Sequence, residues 1–296
     1  MIAEREQVQM IIDAHYHLEE QMETVDTLLE QMKRNDVSRV ALIPRMNEPF
    51  HIEGLAKKAG ALLPRMLMSR MRMFGLGLYN STVTSDGRLS MLGKKYLLYH
   101  EPDNEYVDDV IQAHPEKFYG WIFVNPKVSD PMKEIEKWSG KRGWIGVKAH
   151  PFWHSYPVAM LDSVGAYCAE RNMPVLIHLG SSREQSDYQY LAERHPRLKI
   201  IYAHAGVPLY REIWKYAKKK ENVYVDLSSP VYVDERILPT VIRELGPEKC
   251  IFGTDGPYAS ATQAKMIQRI HLLNLTDREK EQILGGNCQE LFGESA

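Results

Sequence analysis

Short runs of apolar residues alternate along the chain with longer stretches in which apolar residues recur every three or four positions. The short runs predict eight strands, near residues 11–15, 38–43, 118–124, 144–149, 174–179, 198–203, 222–227 and 249–254. Several of these runs are almost wholly apolar, which is typical of strands covered on both faces of a parallel sheet. Their alternation with helical stretches predicts repeated β-α units.

The longer stretches predict helices. Residues 24–34 have apolar side chains at a three-and-four spacing, and three further segments behave similarly, at 156–171, 208–220 and 235–245. Asn172 and Gly246 stand where helix C-terminal caps are expected. Thr276 and Glu279 have the spacing of a capping box, which predicts the start of a late helix.

The segment from residue 46 to residue 105 interrupts this alternation of strand-like and helical stretches. It is far longer than the usual connection of ~2–6 residues between a strand and a helix, and it contains Met66, Met68, Met71 and Met73. An insertion after the second strand lies on the active-site face of a barrel. We therefore expect a lid, a pocket wall or a subunit contact, the last compatible with a homodimer. Methionine is more often adaptable packing than a cofactor ligand.

Length and composition fit one α/β domain. The chain has 296 residues, and a (β/α)8 TIM barrel needs about 250 plus insertions. Hydrophobic residues make up 44% and charged residues 26%, as in a globular enzyme. We predict a single barrel domain over residues 1–296, with an inserted segment at about 46–105.

Charge and cysteine content exclude several classes of function. The net charge is -2, so there is no electrostatic case for binding nucleic acid or an anionic membrane. No apolar run approaches the ~20 residues of a membrane span, and the N-terminus lacks the pattern of a signal peptide. The cysteines are far apart and form no disulfide framework. We expect a cytoplasmic protein that acts on a small molecule.

Five candidate metal ligands stand where predicted strands end. His15 and His17 form a His-x-His pair at the end of the first apolar run, and His178, His204 and Asp255 close later runs. The carboxyl ends of parallel barrel strands converge on one face. Imidazole suits zinc and related metals, and a carboxylate can complete the ligand set. The pattern predicts a metal centre at the mouth of the barrel.

These five side chains, in this order, resemble the amidohydrolase superfamily. The closer resemblance is to its amidohydrolase-2 branch, which includes aminocarboxymuconate-semialdehyde decarboxylase and many metal-dependent hydrolases. It covers about residues 11–293 apart from the insertion, and it is supported by the tracts at 146–151, 203–206, 252–257 and 286–292. Each tract alone is a weak signal, but their order and placement are specific.

The resemblance implies a role for each residue. His15, His17 and His178 would bind one divalent metal, with zinc expected and manganese as the alternative. Asp255 would be a further ligand, a proton acceptor from activated water, or both in turn. His204 would polarise the substrate or move a proton.

Four further residues are candidates for substrate binding. Lys148 lies near the end of the fourth strand, where some relatives carry a carboxylated lysine that bridges two metals. We favour pairing with a substrate carboxylate or with Asp255 over such a bridging role. His150 points the same way as Lys148 by strand alternation. Trp153 offers an apolar wall, although a rigid proline-containing loop explains 150–154 equally well. Arg45, after the second strand, is a weaker candidate.

These features leave three hypotheses for the function. The first is a metal-dependent hydrolase that uses activated water on a lactone, ester or amide of a small carboxylated molecule. The second is a metal-dependent non-oxidative decarboxylase of an aromatic or muconate-like acid, which no sequence feature separates from the first. The third is a silent barrel that only binds a ligand. There is no G-x-S-x-G nucleophile elbow and no phosphate-binding P-loop.

Overall fold

The computed structural model describes residues 10–50, 54–91, 93–258 and 262–293. Within these ranges the chain forms ten strands: β1 (Ile11–His17), β2 (Val37–Ile43), β3 (Arg88–Met91), β4 (Lys94–Leu97), β5 (Phe118–Val124), β6 (Trp144–Ala149), β7 (Val175–Ile177), β8 (Ile200–Tyr202), β9 (Val223–Asp226) and β10 (Cys250–Ile251). All except β3 and β4 pair in parallel, in chain order, in one eight-stranded sheet. The eight predicted strands are confirmed.

Backbone hydrogen bonds between the two ends of the sheet close it into a barrel. The Ala14 N–H donates to the carbonyl of Phe252 at 3.1 Å, and the Asp255 N–H donates to the carbonyl of His15 at 2.8 Å. Tyr16 and Gly256 form a further parallel bridge. The predicted (β/α)8 barrel is therefore confirmed, and its first and last strands lie side by side.

Helices follow most strands and surround the barrel. In the described ranges they are α1 (Val25–Arg34), α2 (Gly54–Leu67), α3 (Arg72–Asn80), α4 (Asn104–Ala113), α5 (Pro131–Trp138), α6 (Pro151–His154), α7 (Asp162–Arg171), α8 (Tyr190–Arg194), α9 (Tyr210–Ala217), α10 (Ile237–Leu245), α11 (Gln263–His271), α12 (Asp277–Glu281) and α13 (Asn287–Phe292). None of these described helices is both long and apolar enough to cross a membrane.

The predicted helices are confirmed with one difference. The stretch 156–171 divides into a short 3-10 turn, Val158–Leu161, and α7. The turn follows Pro157, whose backbone is extended. Asn172 caps α7 in the left-handed conformation, with φ at 56°, and Gly246 caps α10 with φ at 91°. The predicted capping box at the start of α12 is present.

The apolar core forms two layers. The outer layer packs between strands and helices. The inner layer fills the barrel with side chains such as Ile12, Trp121 and Phe123, and Leu291 and Phe292 of α13 close one end of it. The opposite end, where the strands finish, is left for polar groups, as in other TIM barrels.

The insertion contains α2, α3 and the antiparallel pair β3–β4. Thr82, Leu89 and Met91 line the same pocket as the strand-end histidines, so the insertion forms part of the pocket wall. The expectation that its methionines pack as filler fails for Met71 and Met73, which are 57% and 79% exposed, next to Phe74 at 75%. The homodimer contact stays a prediction.

Candidate active site

The five side chains predicted to meet at the barrel mouth do lie together. His15 and His17 belong to the end of β1, while His178, His204 and Asp255 follow β7, β8 and β10 respectively. All five are buried and all five line one pocket. Strand ends remote in the chain therefore bring these groups to a single rim.

A group of three can hold a metal ion. One nitrogen each from His15 and His204 and one oxygen of Asp255 lie within 4.8 Å of one another. Nε2 of His17 is 3.4 Å from Asp255 Oδ1, but His17 and His178 lie outside that three-residue group. The three-residue group thus includes His204, to which the resemblance assigned substrate polarisation or proton transfer and not metal binding.

Asp226, a residue that our sequence analysis did not single out, orients His15. Nδ1 of His15 lies 2.8 Å from Asp226 Oδ2. An ionised carboxylate only accepts hydrogen bonds, so His15 carries its proton on Nδ1 and leaves Nε2 bare. That buried Nε2 has no hydrogen-bond partner in the described part of the chain. A carboxylate behind an imidazole with a free nitrogen is the usual arrangement of a metal-binding histidine.

Asp226 also orients His204, through Ser228. The Ser228 hydroxyl donates to Asp226 Oδ1, so its oxygen accepts from Nδ1–H of His204 at 2.8 Å. The backbone N–H of His204 donates to the same Oδ1 at 3.0 Å. His204 therefore also has a bare Nε2. Asp226 is the last residue of β9 and lies one position before the end of the predicted strand 222–227, so the strand-end rule that found His204 would have found it too.

His178 faces the insertion. Its Nε2 lies 2.9 Å from the Tyr79 hydroxyl of α3, and its ring packs 4.8 Å from that of His204. Sequence reasoning missed Tyr79, because nothing in the insertion indicates which side chain turns toward the barrel.

Burial and local charge set the protonation of the site. Burial alone would raise the pKa of Asp255, but His204 and the contact with His17 hold it well below its usual range. Burial, with a smaller contribution from Lys148, lowers the pKa of His15 to about 3, and burial also lowers that of His17. Neutral imidazoles beside an ionised carboxylate are the forms that bind a metal.

Lys148 brings a positive charge into the pocket. It is 1% exposed and lines the pocket, and among the described residues it forms no ion pair within 4.0 Å. Burial lowers its pKa to about 8, against the opposing attraction of Asp226 and Asp255. A buried ammonium without a close counter-ion is suited to a substrate anion.

His150 and Trp153 form one side of the pocket. The Trp153 backbone N–H donates to Nδ1 of His150 at 3.1 Å, so the proton of the neutral His150 ring is on Nε2. The His150 ring stacks on Trp153 at 4.3 Å and on His178 at 4.2 Å. Both residues line the pocket, and they also belong to a packed turn that begins at Pro151.

Arg45 is not brought to the pocket. Its side chain is 47% exposed and its Nε lies 3.0 Å from Asp103 Oδ2, while its guanidinium stacks on Tyr99. The nearby acid and ring therefore hold it at the surface. Phe50 and Tyr258, whose rings stack at 4.9 Å, form the pocket wall instead.

Comparisons with known proteins agree with this fold. 4-Sulfomuconolactone hydrolase of Hydrogenophaga intermedia is 26% identical over 227 residues, which is 67% of this chain and 72% of the relative. An uncharacterised TIM-barrel protein of Bordetella bronchiseptica has a TM-score of 0.63 at 16% identity, covering 95% of this chain and 97% of that one. A dihydroxybenzoic acid decarboxylase of Polaromonas, with bound manganese and 2-nitroresorcinol, has a TM-score of 0.60 at 14% identity, covering 96% and 97%.

The family assignment rests on the sequence itself. A model of the amidohydrolase family, for the amidohydrolase-2 branch, matches residues 12–293. Members of this family are enzymes that act on small molecules. The match extends over nearly the whole chain, including every strand of the barrel, and the protein therefore belongs to the amidohydrolase-2 branch of the amidohydrolases.

Proposed function

We propose that this enzyme is a metal-dependent hydrolase that cleaves a lactone, ester or amide bond in a small carboxylated molecule. The observation that carries the proposal is the buried Asp255 carboxylate, whose Oδ1 lies 3.6 Å from Nε2 of His15 and 3.4 Å from Nε2 of His17. The relative from Hydrogenophaga, named as a hydrolase of a sulfonated lactone, supports hydrolysis and an anionic substrate.

The donor set fits one divalent metal. His15 presents a bare, buried Nε2, and Asp255 is ionised beside it. We infer that His15, His17, His178 and Asp255 hold the ion, with zinc expected and manganese as the alternative, since a neighbour of the same fold contains manganese. When bound, such an ion lowers the pKa of a water molecule and polarises a carbonyl oxygen.

The protein's own groups handle the protons. The Asp255 carboxylate accepts a proton from the attacking water. His204 is held by Ser228 through Nδ1, so its Nε2 is free to exchange a proton with Asp255 and deliver it to the leaving group.

We assign substrate orientation to three further residues of the same pocket. The Lys148 ammonium pairs with the substrate carboxylate, and the Nε2–H of His150 donates a hydrogen bond to the same end of the molecule. The Trp153 ring covers the apolar part. One buried cation with one neighbouring donor suits a single anionic group.

A substrate panel tests the proposal. The protein loaded with zinc, and separately with manganese, is incubated with carboxylated lactones, esters and amides while acid release is followed. We expect hydrolysis of at least one class by the parent, none by Asp255→Asn, and neither activity nor full metal content in His178→Ala. A fully metallated parent that hydrolyses no member of the panel would exclude the proposal.

A second candidate is non-oxidative decarboxylation. It is favoured by a pocket lined by the Lys148 ammonium and by the Trp153 and Tyr258 rings, which would suit a planar aromatic acid. Decarboxylases also occur among the solved structures of the same fold. Release of carbon dioxide from aromatic or muconate-like acids, without hydrolysis of the first panel, would establish this alternative.

A further inference from the structure

We propose that Tyr79, from the insertion, is a positioning residue that fixes the tautomer of His178 and thereby makes Nδ1 the only nitrogen His178 can offer to a metal. The inference rests on the proposed function, because it assigns a metal-binding role to His178. It goes further by making the insertion part of the metal centre as well as of the pocket wall.

The Tyr79 hydroxyl contacts two groups at hydrogen-bond distance. It lies 3.0 Å from the carbonyl oxygen of Leu179 and 2.9 Å from Nε2 of His178. Tyr79 is fully buried, so water does not compete for these contacts.

Counting protons assigns the direction of each bond. A carbonyl oxygen only accepts, so the single hydroxyl proton of Tyr79 is donated to Leu179. The hydroxyl oxygen must then accept from Nε2–H of His178, since two facing lone pairs would repel. In the neutral ring that metal binding requires, a proton on Nε2 leaves Nδ1 bare.

Nδ1 of His178 is therefore the free nitrogen. No hydrogen bond of Nδ1 is present within the described residues, and the side chain lines the pocket beside His204. His15 offers the opposite nitrogen, because its Nδ1 is taken by Asp226. His15 and His178 thus each have one ring nitrogen hydrogen-bonded to the protein and one left free.

Packing holds Tyr79 in this position. Its ring stacks on Phe152 with centroids 4.2 Å apart and planes 12° apart. On the same side of α3, Gly75 closes tightly on α2, where an added Cβ would lie 3.0 Å from the backbone nitrogen of Leu67. These contacts therefore fix the position of the Tyr79 hydroxyl.

A second contact ties the end of α3 to the loop after β7. The Ser181 hydroxyl donates to the side-chain oxygen of Asn80, one residue beyond Tyr79. The segment that carries His178 is thus joined to the insertion at two neighbouring points. A displacement of α3 would carry the His178 ring with it.

The first test measures the tautomer of His178 directly in the parent protein. Nitrogen-15 NMR of the histidine rings in the metal-free parent distinguishes a protonated from a bare nitrogen, with His178→Gln used to assign the signal. We expect His178 to be protonated on Nε2 and bare on Nδ1. The reverse tautomer would overturn the inference, whatever the enzyme's activity.

The second test is Tyr79→Phe, which keeps the ring stacked on Phe152 and removes the hydroxyl. Loss of such a partner typically weakens metal binding about 10–100-fold. We expect a rise of that size in the zinc Kd, measured by competition with a chromophoric chelator, and a mixture of His178 tautomers by NMR.

The matched control is Tyr202→Phe. Tyr202 is also buried, and its hydroxyl also donates to a backbone carbonyl, that of Tyr188, without touching a histidine. We expect its zinc Kd to equal that of the parent. Equal zinc affinity in Tyr79→Phe and parent would overturn the inference, whereas a parent that binds neither zinc nor manganese would instead overturn the proposed function.

Discussion

Oδ2 of Asp226 lies 2.8 Å from Nδ1 of His15, although 211 residues separate the two along the chain. Through its other oxygen the same carboxylate accepts the Ser228 hydroxyl and the His204 backbone N–H. One acid at the end of β9 therefore sets the orientation of two histidines from other strands, and it does so without lining the pocket itself.

Asp226→Asn should weaken metal binding. The asparagine amide has nearly the same shape as the carboxylate. Its NH2 group, however, must face one of the N–H or O–H groups that now donate a hydrogen bond to Asp226, so that bond is lost. We expect the zinc Kd to rise about 10–100-fold, measured by chelator competition. Asp108→Asn is the matched control, because Asp108 is a buried acid that accepts from Lys141 and Trp144 outside the barrel. Equal losses in both variants would contradict the proposed role.

His204→Asn should separate proton transfer from metal binding. Asparagine fills part of the space but cannot carry a proton between groups. We expect metal content to stay near that of the parent, while kcat falls roughly 10²–10⁴-fold, as for loss of a general acid or base. Loss of the metal in this variant would instead identify His204 as a ligand, in keeping with its closeness to His15 and Asp255.

Lys148→Met should weaken binding of carboxylated substrates. The methionine preserves most of the side-chain volume and removes the charge. A hydrogen bond to a charged group contributes about 1.5–3 kcal/mol, so we expect KM for the acid to rise roughly tenfold to a hundredfold. The neutral methyl ester or amide of the same substrate serves as control, and a similar change in its KM would contradict a charge-specific role.

The pH profile should carry the signature of Lys148. Burial lowers its pKa to about 8, so the ammonium is present below this pH and is lost as the pH rises through it. We expect kcat/KM for a carboxylated substrate to fall above about pH 8. Lys148→Met should lack this limb of the profile. An unchanged decline in the variant would assign the titration to another group.

Asp13→Ala should destabilise the closed barrel. Asp13 accepts from the backbone N–H and the hydroxyl of Thr254, at 2.9 and 2.7 Å, which ties β1 to the segment after β10. Leaving buried donors unpaired costs about 1–3 kcal/mol each, so we expect the free energy of unfolding in urea to fall by about 3 kcal/mol. Asp103→Ala, which removes the exposed pair with Arg45, should cost no more than about 1 kcal/mol.

The strands and the meeting of the polar side chains at their ends could be predicted from sequence, because both follow from regular patterns. An apolar run marks a covered strand, and parallel topology then forces side chains such as His178 and Asp255 to one rim. Asp226 obeys the same rule and was reachable by it. The assignment of metal and proton roles stays a prediction, because it depends on distances of a few tenths of an ångström.

The contacts of the insertion could not be predicted in this way. No periodicity indicates that Tyr79 of α3 turns inward while Phe74, five positions earlier, faces solvent. Arg45 was placed in the pocket because it follows β2, but position after a strand does not fix the direction of a long side chain. The hydrogen bond to Asp103, which is distant in sequence, sets the direction of the Arg45 side chain.

The neighbouring position of the first and last barrel strands has a consequence for biosynthesis. The ribosome makes His15 and His17 before Asp255, and the hydrogen bond from the Asp255 N–H to the His15 carbonyl cannot form until the segment after β10 has been made. Until then the nascent chain carries the two imidazoles without the carboxylate that lies beside them in the folded barrel. We expect binding of the proposed metal ion to follow synthesis of that segment.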